Sequence, residues 1–133
     1  MKKIEMIFEN GGRAVAELLE KEAPKTCKKV WGSLPIEAIA RPAKAYGEVY
    51  FVSTLGYIPV ENVHEEGSEE VSYSVRKQYF AVVYAKGLRI CPNRLCSTFG
   101  KLTEGAEELV KVRARLRETR MPEKITVRKL EGA

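Results

Sequence analysis

Alternating apolar and polar positions dominate the chain and predict a series of short strands. Residues 2–8 alternate in this way, which indicates a strand with one buried face. The Asn10-Gly11-Gly12 turn that follows predicts a tight hairpin with residues 13–19, although residues 14–21 also allow a helix. Further strands are predicted at residues 36–40, 48–52, 71–75, 78–84, 96–100 and 125–130.

Two short helices and one long connection complete the predicted order of elements. Residues 22–31 carry a proline early, where a helix has no donor to lose, and their apolar side chains recur at helical spacing. Trp31 in this helix is interpreted as a core residue rather than a platform for a ligand. A second helix is predicted at residues 103–112. Residues 53–68 contain glycines, a proline and several glutamates, which predicts an exposed and mobile connection.

The number and length of these elements favour an all-β fold. The nearly continuous apolar run at residues 78–84 is typical of a strand buried on both faces or of a barrel stave. We therefore expect a small closed antiparallel β-barrel of about eight strands with two short helices, in which closure removes the sheet edges. The 133 residues are expected to form a single domain, residues 1–133.

Composition excludes several kinds of catalytic and metal site. All 18 acidic residues are glutamates and His64 is the only histidine, which excludes a Ser-His-Asp triad, an aspartate-based calcium loop and a histidine-rich metal site. A Ser-His-Glu or Cys-His-Glu set stays open, including one of Cys96 with His64. Because His64 lies in the glutamate-rich connection, we expect a solvated side chain. Abundant Glu, Lys and Arg with few amides is typical of proteins from hot environments.

The basic charge is concentrated in the second half of the chain. Residues 1–66 carry a net charge of −1, whereas residues 67–133 carry +6. The densest stretch, residues 111–120, has five basic side chains against one glutamate and could neutralise phosphates. Apolar residues are interspersed and no stacking aromatic lies in this stretch, which favours a solvated helix face over a nucleic-acid site. We therefore expect no nucleic-acid partner.

The three cysteines do not by themselves define a disulfide framework or a metal site. Cys91 and Cys96 have a spacing that zinc sites permit, but a second ligand pair is missing unless Cys27 and His64 converge. A disulfide between Cys91 and Cys96 is an alternative in a hyperthermophile, and buried thiols are the default expectation. The sequence therefore predicts neither a metal nor a cofactor.

Nothing in the sequence indicates a membrane or secreted protein. No apolar run reaches the length that spans a bilayer. The first residues meet glutamates before any apolar stretch that could serve as a signal peptide. We expect a cytoplasmic protein.

Three stretches, taken in order, resemble the cyclophilins, which are barrel-shaped peptidyl-prolyl isomerases. Residues 22–26, Glu-Ala-Pro-Lys-Thr, resemble the start of their helix, and residues 78–82, Gln-Tyr-Phe-Ala-Val, resemble their Gln-Phe-Phe strand. The strongest match is at residues 99–110, which begin Phe-Gly-Lys-Leu-Thr-Glu-Gly. The resemblance implies the same barrel, in a form similar to the compact cyclophilin-like barrels of archaea and thermophilic bacteria.

The same comparison implies a ligand site from which catalytic parts are missing. Cyclophilins carry a Phe-His-Arg strand whose arginine polarises the prolyl amide, but residues 48–52 occupy that place here and contain no arginine. The resemblance places Gln78 and Phe80 at pocket positions. It also places Cys96 where cyclophilins have a pocket histidine and Cys91 where many have a tryptophan.

The missing arginine shapes the functional hypotheses. Prolyl isomerisation has a barrier of about 20 kcal/mol, which a cation near the prolyl nitrogen can lower. We therefore expect a noncatalytic module that binds a proline-containing peptide or a small apolar ligand beside Phe80, although Phe80 could equally fill the core. The alternatives are an isomerase with weak or altered activity and nucleic-acid binding through residues 111–120. The sequence leaves the oligomeric state open.

Overall fold

A computed structural model of the protein describes residues 2–43, 47–89 and 95–130. Within these ranges the chain forms ten strands and two helices. The strands are β1 (Lys3–Phe8), β2 (Arg13–Leu18), β3 (Ile36–Pro42), β4 (Glu48–Val52), β5 (Glu66–Gly67), β6 (Glu70–Ser74), β7 (Tyr79–Val83), β8 (Leu88–Arg89), β9 (Cys96–Glu104) and β10 (Glu123–Lys129). The helices are α1 (Pro24–Ser33) and α2 (Ala106–Thr119).

Eight of these strands close into an antiparallel barrel in the order β1-β10-β3-β4-β7-β6-β9-β2. Strand β1 joins the ends of the chain because it pairs with both β2 and β10, and Met6 lies opposite Ala14 on one side and Val127 on the other. The short strands β5 and β8 form a separate two-stranded sheet. The predicted closed barrel of about eight strands with two helices is confirmed.

The first hairpin has the predicted form. Strand β2 follows the turn at residues 10–12, so the alternative helix at residues 14–21 is wrong. Ala14, Ala16 and Leu18 alternate along β2 and are all buried. This period of two suits a strand whose inner face lines the barrel, whereas a helix would spread the same residues around its axis.

Helix α2 begins later and ends later than predicted. Residues 103 and 104 complete β9, and Gly105 with a φ of 94° provides the turn into the helix. The helix then continues to Thr119 because Leu109, Val112 and Leu116 repeat at helical spacing and are buried against the barrel. The basic stretch at residues 111–120 is therefore largely the second half of an amphipathic helix.

Aromatic side chains fill the centre of the barrel. Phe51, Tyr73, Phe80 and Phe99 are each at most 2% exposed. Phe51 stacks on Phe80 with 4.8 Å between ring centroids, and the edges of Tyr73 and Phe99 meet Phe80 at 4.9 and 5.7 Å. Offset stacks and edge contacts of this kind stabilise a core beyond the burial of apolar area alone.

The connection at residues 53–65 is packed against the barrel rather than fully exposed as predicted. Leu55 and Ile58 are buried in the hydrophobic core. Backbone N–H groups of Leu55 and Glu61 donate hydrogen bonds to the Tyr73 hydroxyl at 3.1 Å and to Ser97 Oγ at 3.0 Å. The sequence pattern does not predict these hydrogen bonds, because they join the backbone of a loop to side chains of distant strands.

Candidate functional site

The Phe80 side chain, at the centre of the predicted ligand site, lies in the barrel core. Its ring is 2% exposed and is surrounded by the rings of Phe51, Tyr73 and Phe99. A ligand outside the barrel does not reach this ring in the conformation observed. Binding at Phe80 would require the aromatic cluster to rearrange.

Gln78 is occupied by contacts within the protein. Its Oε1 accepts hydrogen bonds from the Tyr73 hydroxyl at 2.8 Å and from the Gly56 N–H at 3.1 Å, and its amide nitrogen donates to the Val75 carbonyl. The Gln78 backbone has a φ of 54°, as suits the tight turn between β6 and β7. The observed contacts therefore fasten the connection at residues 53–65 to this turn.

The cysteines and the histidine do not form a catalytic pair in the described part of the chain. Cys27 and Cys96 are both buried, whereas Cys91 lies outside the described residues. His64 is not simply solvated, because Nδ1 lies 3.0 Å from a Glu70 carboxylate oxygen and Nε2 lies 3.2 Å from Asn62 Oδ1. Both ring nitrogens are engaged, so the imidazole is not placed to activate the Cys96 thiol.

Burial makes Cys27 a poor nucleophile. The Cys27 thiol donates a hydrogen bond to the Phe99 carbonyl oxygen at 3.3 Å. Desolvation, reinforced by the negative charge of Glu20, raises the pKa of Cys27 to about 12. Among the residues that the structure describes, no group of three or more His, Cys, Asp or Glu side chains could hold a metal ion. No helix in the same ranges is long and apolar enough to cross a membrane.

A pocket of about 490 Å³ opens where the end of α2 meets β3. We call it the arginine pocket. It combines an apolar surface with three guanidinium groups, and none of the described residues that line it is acidic. Its principal lining residues are Ile39, Arg41, Leu116, Arg117, Arg120 and Met121. A concave site of this size with a few polar groups over an apolar floor is typical of sites for small organic ligands.

The three arginines of the pocket have no acidic partner in the part of the chain that the structure describes. No carboxylate in the described ranges forms an ion pair with Arg41, Arg117 or Arg120. All three side chains are exposed at the pocket rim. A ligand carboxylate could therefore accept hydrogen bonds from guanidinium groups without displacing an existing partner.

Other arginines of the same stretch serve the fold. Arg113 is buried and donates a hydrogen bond to the Ala43 carbonyl at 3.0 Å. Arg115 forms an ion pair with Glu123, which is 2% exposed, and its Nε donates to Glu123 Oε2 at 3.0 Å. Burial alone would raise the pKa of Glu123, but hydrogen bonds from Arg115 and the Asn10 N–H lower it below its ordinary value. The phosphate-binding stripe considered for residues 111–120 is thus interrupted on the folded helix.

The backbone of Arg120 marks the rim of the arginine pocket. Arg120 ends α2 with a φ of 54° and a ψ of 24°, and its N–H donates to the Leu116 carbonyl. This left-handed conformation is normally taken by glycine, because a Cβ costs about 1 kcal/mol there. Arg120 therefore occupies, at a conformational cost, the end of α2 that lines the arginine pocket.

Two arginines of this pocket belong to the stretch that the sequence analysis considered as a phosphate-binding site. Arg117 and Arg120 belong to the basic stretch, but the pattern offered no reason to separate them from Arg113 and Arg115. The strand predicted at residues 36–40 stops before Arg41, whereas β3 continues to Pro42 and places Arg41 opposite Tyr50. Only the barrel closure brings Arg41 beside the end of α2, because the pairing of β3 with β10 joins segments far apart in sequence.

The fold and the pocket together define a small closed β-barrel with a concave, positively charged site on its outer surface. The chain belongs to the Cyclophilin-like family, whose sequence profile matches residues 2–120. No curated protein matches the sequence.

Two solved structures share the fold at low sequence identity. McbB, determined in complex with tryptophan, superposes with a TM-score of 0.78 at 18% identity over 98% of this chain. This chain spans only 45% of the McbB chain. The hypothetical protein AF2241 from Archaeoglobus fulgidus superposes with a TM-score of 0.69 at 19% identity, covering 96% of this chain and 93% of AF2241. These likenesses establish the barrel architecture.

Proposed function

We propose that the protein is a noncatalytic ligand-binding module whose site is the arginine pocket. Its ligand is a small molecule, or the end of a peptide, that combines an apolar body with a carboxylate. The observation that carries this proposal is a pocket of about 490 Å³ with an apolar floor and three arginines that have no ion-pair partner among the described residues. This assignment moves the predicted site from Phe80 to the outer surface beside α2.

The lining chemistry supports both parts of the ligand. Ile39 and Met121 are 39% and 65% exposed, so a bound apolar group would remove their surfaces from water. Met121 also suits an aromatic body, because thioether groups make favourable contacts with ring edges. Guanidinium groups bind carboxylates through paired N–H donors, which would orient the ligand at the rim.

The complex of McbB is consistent with a ligand of this type. McbB was solved with tryptophan, which carries a carboxylate and an aromatic ring. At 18% identity the likeness concerns the fold, so it does not transfer the position of that ligand. It does make N-acetyl-L-tryptophan a rational first probe for this barrel.

A matched pair of probes tests the proposal. We expect N-acetyl-L-tryptophan to shift backbone amide resonances around Arg117 and Met121 in heteronuclear NMR spectra, and N-acetyl-L-tryptophanamide to shift them much less. The amide lacks the carboxylate charge but keeps the indole. Arg117→Gln should weaken binding of the acid about tenfold, because a hydrogen bond to a charged group contributes about 1.5–3 kcal/mol. Lys77→Gln, in the exposed turn between β6 and β7, serves as the charge control.

Three outcomes would overturn this assignment. They are equal binding of the acid and the amide, equal weakening by the Lys77 control, and resonance shifts confined to Phe80 and Gln78. The last result would restore the site predicted from the sequence. A protease-coupled assay on proline peptides should give the uncatalysed isomerisation rate, and acceleration by the protein would contradict the noncatalytic role.

A further inference from the structure

The only tryptophan of the chain lies close to two lysine ammonium groups, one from each end of the chain. Trp31 is partly buried and packs against the core. Lys2 Nζ lies 5.2 Å and Lys129 Nζ lies 4.8 Å from the centroid of its ring. Both distances fall within the range of cation–π contacts. The three residues meet because Lys129 pairs with Ile4 in the β1–β10 ladder.

The positive charge at this ring is only partly compensated. Lys2 forms an ion pair with Glu20 at 3.4 Å, whereas no carboxylate in the described ranges pairs with Lys129. Lys28 lies one helical turn before Trp31 on α1 and is exposed. An anion bound at Lys129 would compensate the charge of this ammonium group.

An open groove of about 800 Å³ lies beside Lys129. Two glutamates line it, and both are already paired. Glu5 accepts a hydrogen bond from Arg128 at 2.8 Å and also pairs with Arg13, and Glu37 lies 3.7 Å from Lys124 Nζ. Each carboxylate is therefore partly neutralised by an arginine or lysine partner.

From this arrangement we propose a second binding site, separate from the arginine pocket, for a phosphorylated nucleoside. The base stacks on the Trp31 ring, and the phosphate binds the ammonium groups of Lys129 and Lys2. The lysine side chains are long and flexible, so they can leave the face of the ring to the base and still reach the phosphate. Stacking on an aromatic ring combined with phosphate neutralisation is how proteins bind single-stranded nucleic acids without sequence preference.

This site uses an aromatic residue that the basic stretch at residues 111–120 lacks. The sequence favours no nucleic-acid partner, because no aromatic residue lies within residues 111–120. Folding instead brings Trp31 together with Lys2 and Lys129, which no local motif could reveal. The ligand can be a free nucleotide or one unit of a single strand, and the experiment distinguishes the two.

Intrinsic fluorescence gives a direct test, because Trp31 is the only tryptophan in the chain. We expect AMP and a single-stranded adenine decanucleotide to quench its emission, and adenosine or inorganic phosphate at equal concentration to quench it much less. Stronger binding of the decanucleotide than of AMP identifies a strand as the ligand, and equal binding identifies the free nucleotide. The affinity should fall with added salt, since phosphate contacts release counterions.

Variants separate stacking from charge. Lys129→Gln should weaken AMP binding about threefold, because it removes one exposed ion contact. Trp31→Phe, followed by anisotropy of a labelled decanucleotide, should weaken binding about fivefold or more through lost stacking area. Arg117→Gln should leave both signals unchanged, which distinguishes this site from the arginine pocket. The proposal is overturned if AMP does not quench, if adenosine quenches equally, or if Lys129→Gln binds like the wild type.

Discussion

The Tyr73 hydroxyl donates a hydrogen bond of 2.8 Å to Oε1 of Gln78. The same hydroxyl accepts the Leu55 N–H, and the same Oε1 accepts the Gly56 N–H. Two side chains of the β6–β7 hairpin thus hold the first turn of the connection at residues 53–65. Gln78, which the cyclophilin resemblance places in a ligand pocket, therefore has a structural role here. We call the pair of Tyr73 and Gln78 side chains the clamp.

Removing this clamp should loosen the connection without unfolding the barrel. We expect Gln78→Ala to lower the free energy of unfolding by about 1–2 kcal/mol, because partly buried donors lose their acceptor. Amide hydrogen exchange should accelerate at residues 55 and 56 and stay unchanged in β1. Lys77→Ala is the control, since Lys77 is exposed in the same turn. Unchanged exchange at both amides would contradict the clamp.

The barrel could be predicted from the sequence because its strands are short and show alternating apolar and polar residues. The turn at residues 10–12 predicts the first hairpin, and the local pattern predicts the start of β9 at residue 96 and the start of α2 three residues too early. Strand closure followed from the need to remove edges. Turn residues and strand patterns depend on neighbouring positions in the chain, so a single sequence is enough to recognise them.

The candidate sites could not be predicted in the same way, because they depend on contacts between residues far apart in the sequence. In β7 the residues Phe80 to Val83 are all buried, so periodicity could not show which face Phe80 takes. The arginine pocket needs Arg41 from β3 beside Arg117 from α2, and the Trp31 site needs both ends of the chain. Each set is created by the closure of the barrel.

Gly105 should be one of the least replaceable residues in the chain. A Cβ there would lie 2.3 Å from the Arg13 carbonyl oxygen and 2.7 Å from Ala14 Cα, and its φ is 94°. We expect Gly105→Ala to destabilise the protein by about 2–4 kcal/mol in urea unfolding, through backbone strain and displacement of β2.

Gly32 provides the matched control. It lies in α1 without a positive φ, and a Cβ would meet nothing within 4 Å. Gly32→Ala should raise the stability by about 0.5 kcal/mol through helix propensity. Similar effects of the two substitutions would show that the contacts at Gly105 are not decisive.

Acid should weaken the protein partly through Glu5. Hydrogen bonds from Arg128 and Arg13 lower the pKa of Glu5 below its ordinary value of 4.5. Because the folded pKa is the lower one, the stabilisation is fully present above pH 4.5 and is lost as the pH falls through the folded value. Glu5→Gln should therefore cost about 1–2 kcal/mol at neutral pH, and this difference should shrink as the pH falls below 4.5.

Thermal unfolding across this pH range checks the prediction. Glu65→Gln, at an exposed position of the connection, should follow the wild-type profile at every pH. If the wild type and Glu5→Gln keep a constant stability difference down to the acid limit, the lost contacts do not depend on the charge of Glu5.

Cys27 should resist alkylation in the native state. Burial raises the pKa of its thiol to about 12, so the reactive thiolate is scarce at neutral pH. In a variant that carries Cys91→Ser and Cys96→Ser, we expect iodoacetamide to label Cys27 only after denaturant is added. Mass spectrometry before and after unfolding measures this directly, and rapid native labelling would show that the thiol is accessible.

Arg120 links the stability of the fold to ligand binding. Its φ of 54° suits glycine, so Arg120→Gly should raise the free energy of unfolding by about 0.5–1 kcal/mol. Arg120→Ala keeps a Cβ in the same conformation and should give no such gain. Both variants lose the guanidinium, so both should bind N-acetyl-L-tryptophan more weakly than the wild type.

The pair separates backbone strain from side-chain charge. A gain in stability for glycine alone, together with weaker binding by both variants, is the pattern expected when a protein accepts local strain to place a functional group. Wild-type binding by Arg120→Gly would show that the guanidinium does not contact the ligand. The left-handed arginine would then be only an unfavourable end to α2, and the arginine pocket would rest on Arg41 and Arg117.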